Sequence, residues 1–81
     1  MKHYYDRRLS MVFGSSQTFK NIIDEYEIVY DILGADTFKK VWVELVDRTC
    51  NMFNIYDSAA SDFKCYIEMY FNLDDEEVYE L

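Results

Sequence analysis

The chain of 81 residues contains no proline and only two glycines, Gly14 and Gly34. All-β sandwiches and barrels need many turns, and glycine and proline form a large share of them. A chain with so few of these residues favours long, uninterrupted helices. We therefore expect a mainly α fold, a small bundle of three to four helices that forms a single domain over 1–81.

A periodic apolar stripe predicts a helix that ends at about Leu33. Ser15 or Ser16 is suited to cap its start, since a serine oxygen accepts hydrogen bonds from first-turn N–H groups. Gly34 follows the stripe, where a glycine in the left-handed conformation commonly ends a helix. At about 100° per residue, one face carries Phe19, Ile22, Ile23, Tyr26, Val29, Tyr30 and Leu33.

A second periodic run follows Asp36, which is placed to cap it, and extends to Tyr56. Its apolar face carries Phe38, Val41, Trp42, Leu45, Val46, Thr49, Met52, Phe53 and Tyr56. Its polar face carries Lys40, Glu44, Asp47, Arg48, Asn51 and Asn54. We expect Trp42, Leu45 and Phe53 from this run to be largely buried, together with Phe63 from the next one.

Two further segments fit either a helix or a strand. After Ser58, a candidate N-cap, a helical stripe runs through Phe63, Tyr66, Ile67, Tyr70 and Leu73, but strict alternation over 63–73 also fits a strand. The N-terminal segment is equally ambiguous. Two strands would give an α+β fold with a small antiparallel sheet. We favour a helix for 63–73 because Ala59 and Ala60 precede it.

Acidic residues dominate the charge of the chain. Sixteen Asp and Glu against eight Lys and Arg give a formal net charge of −8. This balance disfavours direct binding to nucleic acid and to an anionic membrane surface, since both need a dense basic surface. No apolar run is long enough to span a membrane, and no signal peptide is evident. The sequence predicts a cytoplasmic protein, in the host cytoplasm if it is viral.

The sequence shows no catalytic, cofactor or metal-binding motif. His3 is the only histidine, and Cys50 and Cys65 lack Cys-x-x-Cys spacing. The residues needed for a zinc site, or for a cysteine nucleophile activated by histidine, are therefore incomplete. Two glycines are too few for a phosphate-binding loop. We expect no enzymatic activity, no cofactor and no metal, and two reduced thiols.

The most suggestive cluster lies on the first predicted long helix. We expect Asp24, Glu27 and Asp31 to face solvent within about 60° of each other, where like charges destabilise a helix. Ile28 and Ile32 lie beside them, off the main apolar stripe. Either this helix is buried on two sides or has a solvated acidic edge, or this surface binds a basic partner. The segment 74–81, an acidic tail, has the same character. The candidate partner-binding residues are Asp24, Glu27, Ile28, Asp31, Ile32, Asp75, Glu76 and Glu77.

Aromatic residues are abundant: eight Tyr, six Phe and one Trp. We expect some to remain exposed, as at partner-binding surfaces. In size, charge and aromatic content the chain resembles small acidic inhibitors encoded by phages, including DNA mimics, anti-restriction and anti-CRISPR proteins. This resemblance implies a non-enzymatic inhibitor that binds a basic, nucleic-acid-handling protein of the host.

Two other interpretations remain open. One is a homo-oligomeric adaptor or structural domain, such as a homodimer with an aromatic interface. The other is a small transcription regulator that uses Arg7 and Arg8, although four basic residues in the N-terminal segment are few for the phosphate contacts of a DNA-binding protein.

Overall fold

The computed structural model describes the backbone of residues 2–73 and the side chains of residues 5–73. This part of the chain contains four helices and no strand. They are α1 (Lys2–Val12), α2 (Ser16–Leu33), α3 (Ala35–Phe53) and α4 (Asp57–Tyr70). The prediction of a mainly α bundle is confirmed. The α+β alternative is wrong, because both ambiguous segments are helical.

The four helices form a closed ring in which each packs against its neighbours along the chain and α4 also packs against α1. α2 and α3 run antiparallel. Tyr30, near the end of α2, packs edge-on against Phe38, near the start of α3, with ring centroids 5.1 Å apart, and Tyr26 in the middle of α2 donates to the Leu45 carbonyl in the middle of α3. Between α1 and α4, the Nε atom of Arg8 lies 2.6 Å from Oδ2 of Asp62. This ion pair links the short first helix to the last one.

Apolar side chains from all four helices fill the centre of the ring. Phe63 is fully buried, and its ring contacts those of Phe13 and Tyr26 edge-on, with centroids 5.1 Å and 5.9 Å apart. Such contacts add to the free energy gained by burying aromatic surface. The fully buried side chains are Leu9, Phe38, Val46, Phe63 and Ile67.

The prediction of buried residues on α3 is correct for Trp42 and wrong in part for Leu45 and Phe53. Leu45 is half-buried, and Phe53, in the last turn of α3, is 37% exposed although the ring of Phe13 contacts it edge-on. Cys50 is buried instead. The buried face of α3 is therefore rotated away from the centre of the apolar stripe.

Gly34 alone connects α2 to α3. Its N–H donates to the Tyr30 carbonyl and its own carbonyl accepts from the Phe38 N–H, at 2.8 Å and 2.9 Å. It is thus the C-cap of α2 and the N-cap of α3 at once. Its φ of 86° and ψ of 158° lie outside the expected left-handed helical conformation, in a region that is essentially restricted to glycine. The expectation that Asp36 caps α3 is wrong, since this residue lies inside the first turn.

Two asparagines end helices that have no glycine to do so. Asn54 and Asn72 have φ values of 57° and 55°. The N–H groups of the next residues, Ile55 and Leu73, donate to carbonyls five positions back, each at 2.8 Å. This is the Schellman arrangement, which places an apolar residue against the helix it ends. Both side chains are accordingly buried beyond the helix ends.

The two predicted serine caps have different outcomes. Ser15 caps α2, since its hydroxyl oxygen accepts a hydrogen bond from the Thr18 N–H at 3.1 Å. Ser58 does not cap α4, which already begins at Asp57 after Tyr56. Its hydroxyl lies 3.3 Å from the guanidinium of Arg8 and accepts a hydrogen bond from it.

Candidate functional site

The face of α2 that points away from the core carries four of the eight candidate partner-binding residues. We define the α2 outer face as Asp24, Glu25, Ile28, Asp31 and Ile32, all of which are exposed. Ile28 is 58% exposed and Ile32 is 76% exposed. The interpretation that α2 is buried on two sides is therefore wrong. This helix buries one side and presents an acidic surface with an apolar centre on the other.

Glu27 differs from the carboxylates on either side of it. It is half-buried and accepts a hydrogen bond from the hydroxyl of Tyr70 on α4. The expectation that Asp24, Glu27 and Asp31 all face solvent is therefore wrong for Glu27. Its helical position brings it to the edge of the core, where α4 supplies a donor.

The carboxylates of α1 and α2 converge on Tyr70. The hydrogen bond to Glu27, burial and the negative charges of Glu27, Asp24 and Asp6 raise the pKa of Tyr70 to about 12. Burial, and then a hydrogen bond with Asp6, also raise the pKa of Tyr66. Both tyrosines are therefore neutral hydrogen-bond donors at physiological pH, and the carboxylates of Asp6 and Glu27 lie near both of them.

An open cleft of about 340 Å³ lies beside these tyrosines, between α1, α2 and α4. Asp6 and Asp24 line it from two helices, Tyr66 and Tyr70 line it from a third, and Lys20 contributes a positive charge. These groups can donate and accept hydrogen bonds.

The thiols lie apart and differ in exposure. Cys50 is buried and Cys65 is exposed, and neither forms a disulfide. Burial, and then the charge of Asp47, raise the pKa of the Cys50 thiol, which lowers its reactivity. Within residues 5–73, no group of three or more His, Cys, Asp or Glu side chains is arranged to hold a metal ion. None of the helices described above is long and apolar enough to cross a membrane.

As the sequence predicts, some aromatic side chains are exposed. Over residues 5–73, only Phe53 and Tyr56 are more than about one-third exposed. Most aromatic rings pack against one another inside the ring of helices. The prominent exposed apolar groups are aliphatic instead: Met11, Ile28, Ile32 and Met52.

Sequence reasoning missed three residues around the candidate site. Glu25 was recoverable, because it lies three positions before Ile28 and completes the acidic border on the other flank. Asp6 and Tyr70 were not, because only the folding of the bundle brings residues of α1 and α4 beside Asp24 around one cleft. Asp75, Glu76 and Glu77 lie outside the described residues.

Comparison of the chain with protein-family models, with curated proteins and with solved structures found no match.

Proposed function

We propose that this protein is a non-enzymatic inhibitor that uses the α2 outer face to bind a basic, nucleic-acid-handling protein. One observation carries the proposal: every charged residue of this exposed face is a carboxylate. The segment 21–36 contains five carboxylates and no lysine, arginine or histidine. Asp24, Glu25 and Asp31 are exposed on it, so their charges are available to a partner.

The arrangement suits a surface that otherwise binds phosphates. Asp24 and Asp31 lie seven residues apart on one helix, about 10 Å along its axis. Their charges are thus presented at a fixed spacing to the lysines and arginines that contact a nucleic-acid backbone. The hydrogen bond from Tyr70 holds Glu27 beside them, which reduces the entropy lost on binding.

Inhibition requires only that this protein covers the basic surface of its partner. A basic surface covered by α2 cannot bind nucleic acid at the same time. The acidic charge also attracts the partner over a distance and accelerates association at low salt. The proposal includes three further statements. The protein comes from a phage or a virus, it acts in the host cytoplasm, and it resembles DNA mimics.

The test is capture of a host protein on the immobilised chain, followed by identification and competition. We expect a basic nucleic-acid-binding protein that duplex DNA or RNA displaces. D31K should weaken its capture strongly, whereas D47K should not. Asp47 is a matched control, because it is an exposed aspartate within a helix but lies on α3. Equal capture by both variants, or a partner that binds nucleic acid and this protein together, contradicts the proposal.

A homodimer with an aromatic interface is the second candidate. Its support is a separate exposed patch at the end of α3, formed by Met52, Phe53 and Tyr56, which are 74%, 37% and 56% exposed. Light scattering after size exclusion gives the mass of the particle directly. A dimer that resists high salt and is split by M52K supports this candidate, and a monomer at all concentrations contradicts it.

A further inference from the structure

Ile28 and Ile32 form an exposed apolar strip at the centre of the α2 outer face. They lie four residues apart, one turn along the helix, so their side chains are neighbours. Asp24 and Asp31 border the strip on one flank and Glu25 borders it on the other. An apolar centre with a charged rim is the general make-up of a protein-binding surface.

The charges decide which kind of surface can cover this strip. A second copy of the chain packed through the same face would bring the carboxylates of both copies together, and the segment 21–36 offers no cation to separate them. Like charges facing each other across an interface are strongly unfavourable. An anionic membrane is repelled in the same way. The complementary occupant is a basic surface with an apolar centre of its own.

The two isoleucines also show that charge alone does not account for this face. A surface that only imitated phosphates would gain nothing from exposing them. An extended segment points alternate side chains to opposite sides, so it cannot place an apolar row and two flanking basic rows on one partner. An amphipathic helix does this, because residues three and four apart form a stripe with other residues on both flanks.

We infer that the occupant of the α2 outer face is an exposed amphipathic basic helix of the partner. Its apolar side chains pack on Ile28 and Ile32, and its lysines and arginines reach Asp24, Glu25 and Asp31. This inference rests on the proposed function and specifies the element of the partner that is bound. The apolar contact holds the complex together, and the carboxylates orient the helix and accelerate its approach.

The probe is a synthetic helical peptide with leucine on one face and lysine and arginine elsewhere. A scrambled peptide of identical composition, with leucines all round the helix, is its control. Fluorescence anisotropy should show tighter binding of the amphipathic peptide by about tenfold or more. Nuclear magnetic resonance shifts should be confined to the α2 outer face.

Matched variants test the apolar strip itself. I32N should weaken binding of the amphipathic peptide about tenfold, whereas M11N should leave it unchanged. The two sites match closely, because Ile32 is 76% exposed and Met11 is 81% exposed, so neither variant should unfold the protein. I28Q provides a second test within the strip, and circular dichroism checks the fold of each variant.

Three outcomes overturn the inference: equal binding of both peptides, no effect of I32N and I28Q, or resonance shifts on another face. Failure here is distinguishable from failure of the proposed function. If a captured host protein is still displaced by nucleic acid and still depends on Asp31, the proposed function stands and only the helical, apolar mode of binding is wrong. If the peptide binds as expected but no such host protein exists, the proposed function fails.

Discussion

The hydroxyl oxygens of Tyr26 and Thr49 lie 2.6 Å apart inside the bundle. Each also lies 3.0 Å from the backbone carbonyl oxygen of Leu45. The three groups satisfy one another where little water reaches, and they join α2 to the middle of α3. Buried polar groups paired in this way fix how two helices sit against each other, since any shift leaves a donor without an acceptor.

Removing the hydroxyl of Tyr26 or of Thr49 tests the link between α2 and α3. We expect Y26F to lower the free energy of unfolding by about 1 kcal/mol, because the net value of one buried hydrogen bond is of this order. T49V should cost a similar amount. Urea denaturation of both single variants and the double variant measures the coupling. If the double variant loses the full sum of the single losses, the two hydroxyls act independently and the network does not exist as described.

The difference in burial between two phenylalanines gives a second prediction. Phe63 is fully buried, whereas Phe53 is 37% exposed. F63A should lower the free energy of unfolding by about 3–5 kcal/mol through lost transfer energy and a cavity. F53A should cost less than half of that, because the side chain is only partly removed from water. Equal losses in denaturant titrations would show that the last turn of α3 is packed more tightly than described.

The sequence predicted the local features that depend on nearby residues. Ser15 and Gly34 bound α2 as expected, because caps act over a single turn. The exposed acidic face of α2 was also predictable, since helical periodicity separates Asp24 and Asp31 from the core. These inferences required no knowledge of the neighbouring helices.

Features that depend on contacts distant in sequence were not predictable. The periodicity of α3 does not show that Cys50 would be buried and Met52 exposed, because the packing of α2 and α4 fixes the rotation of that helix. Glu27 was expected in solvent, yet Tyr70, which is 43 positions away, binds it. Residues 63–73 fit two periodicities equally, and packing against α1 and α3 distinguishes them.

Backbone conformation at Gly34 yields a third prediction. A Cβ atom added there meets no other atom within 4 Å, so any cost of G34A comes from the backbone alone. With φ at 86° and ψ at 158°, we expect a loss of about 1–3 kcal/mol. The control is A35G at the adjacent position, which should cost less than about 1 kcal/mol. Denaturation midpoints that are equal for the two variants would contradict the strained conformation.

Stability should fall in alkaline solution. Burial raises the pKa of Tyr26 to about 12, and the hydrogen bond to Glu27 raises that of Tyr70 to about 12, against about 10 in an unfolded chain. Above pH 10 the unfolded chain loses these protons while the folded protein keeps them, so the free energy of unfolding decreases as pH rises from about 10 to about 12. Below about pH 10 the free energy of unfolding should not depend on the ionisation of Tyr26 and Tyr70.

Urea titrations across this pH range measure the effect. In Y26F and Y70F the alkaline decrease should be shallower than in the original protein, since each variant removes one group that titrates differently in the two states. A decrease of the same steepness in all three proteins would assign the alkaline loss to other groups.

The single-residue connection at Gly34 also governs whether two molecules can exchange parts. Because a single residue joins α2 and α3, the connection has no spare length. The two helices of one molecule therefore pack together only while Gly34 keeps its non-helical conformation. If that residue became helical, 16–53 would form one continuous rod, and α3 and α4 could then complete the bundle of a neighbouring molecule. Domain swapping would thus depend on one backbone position, where glycine favours the conformation that keeps α2 and α3 of one molecule together.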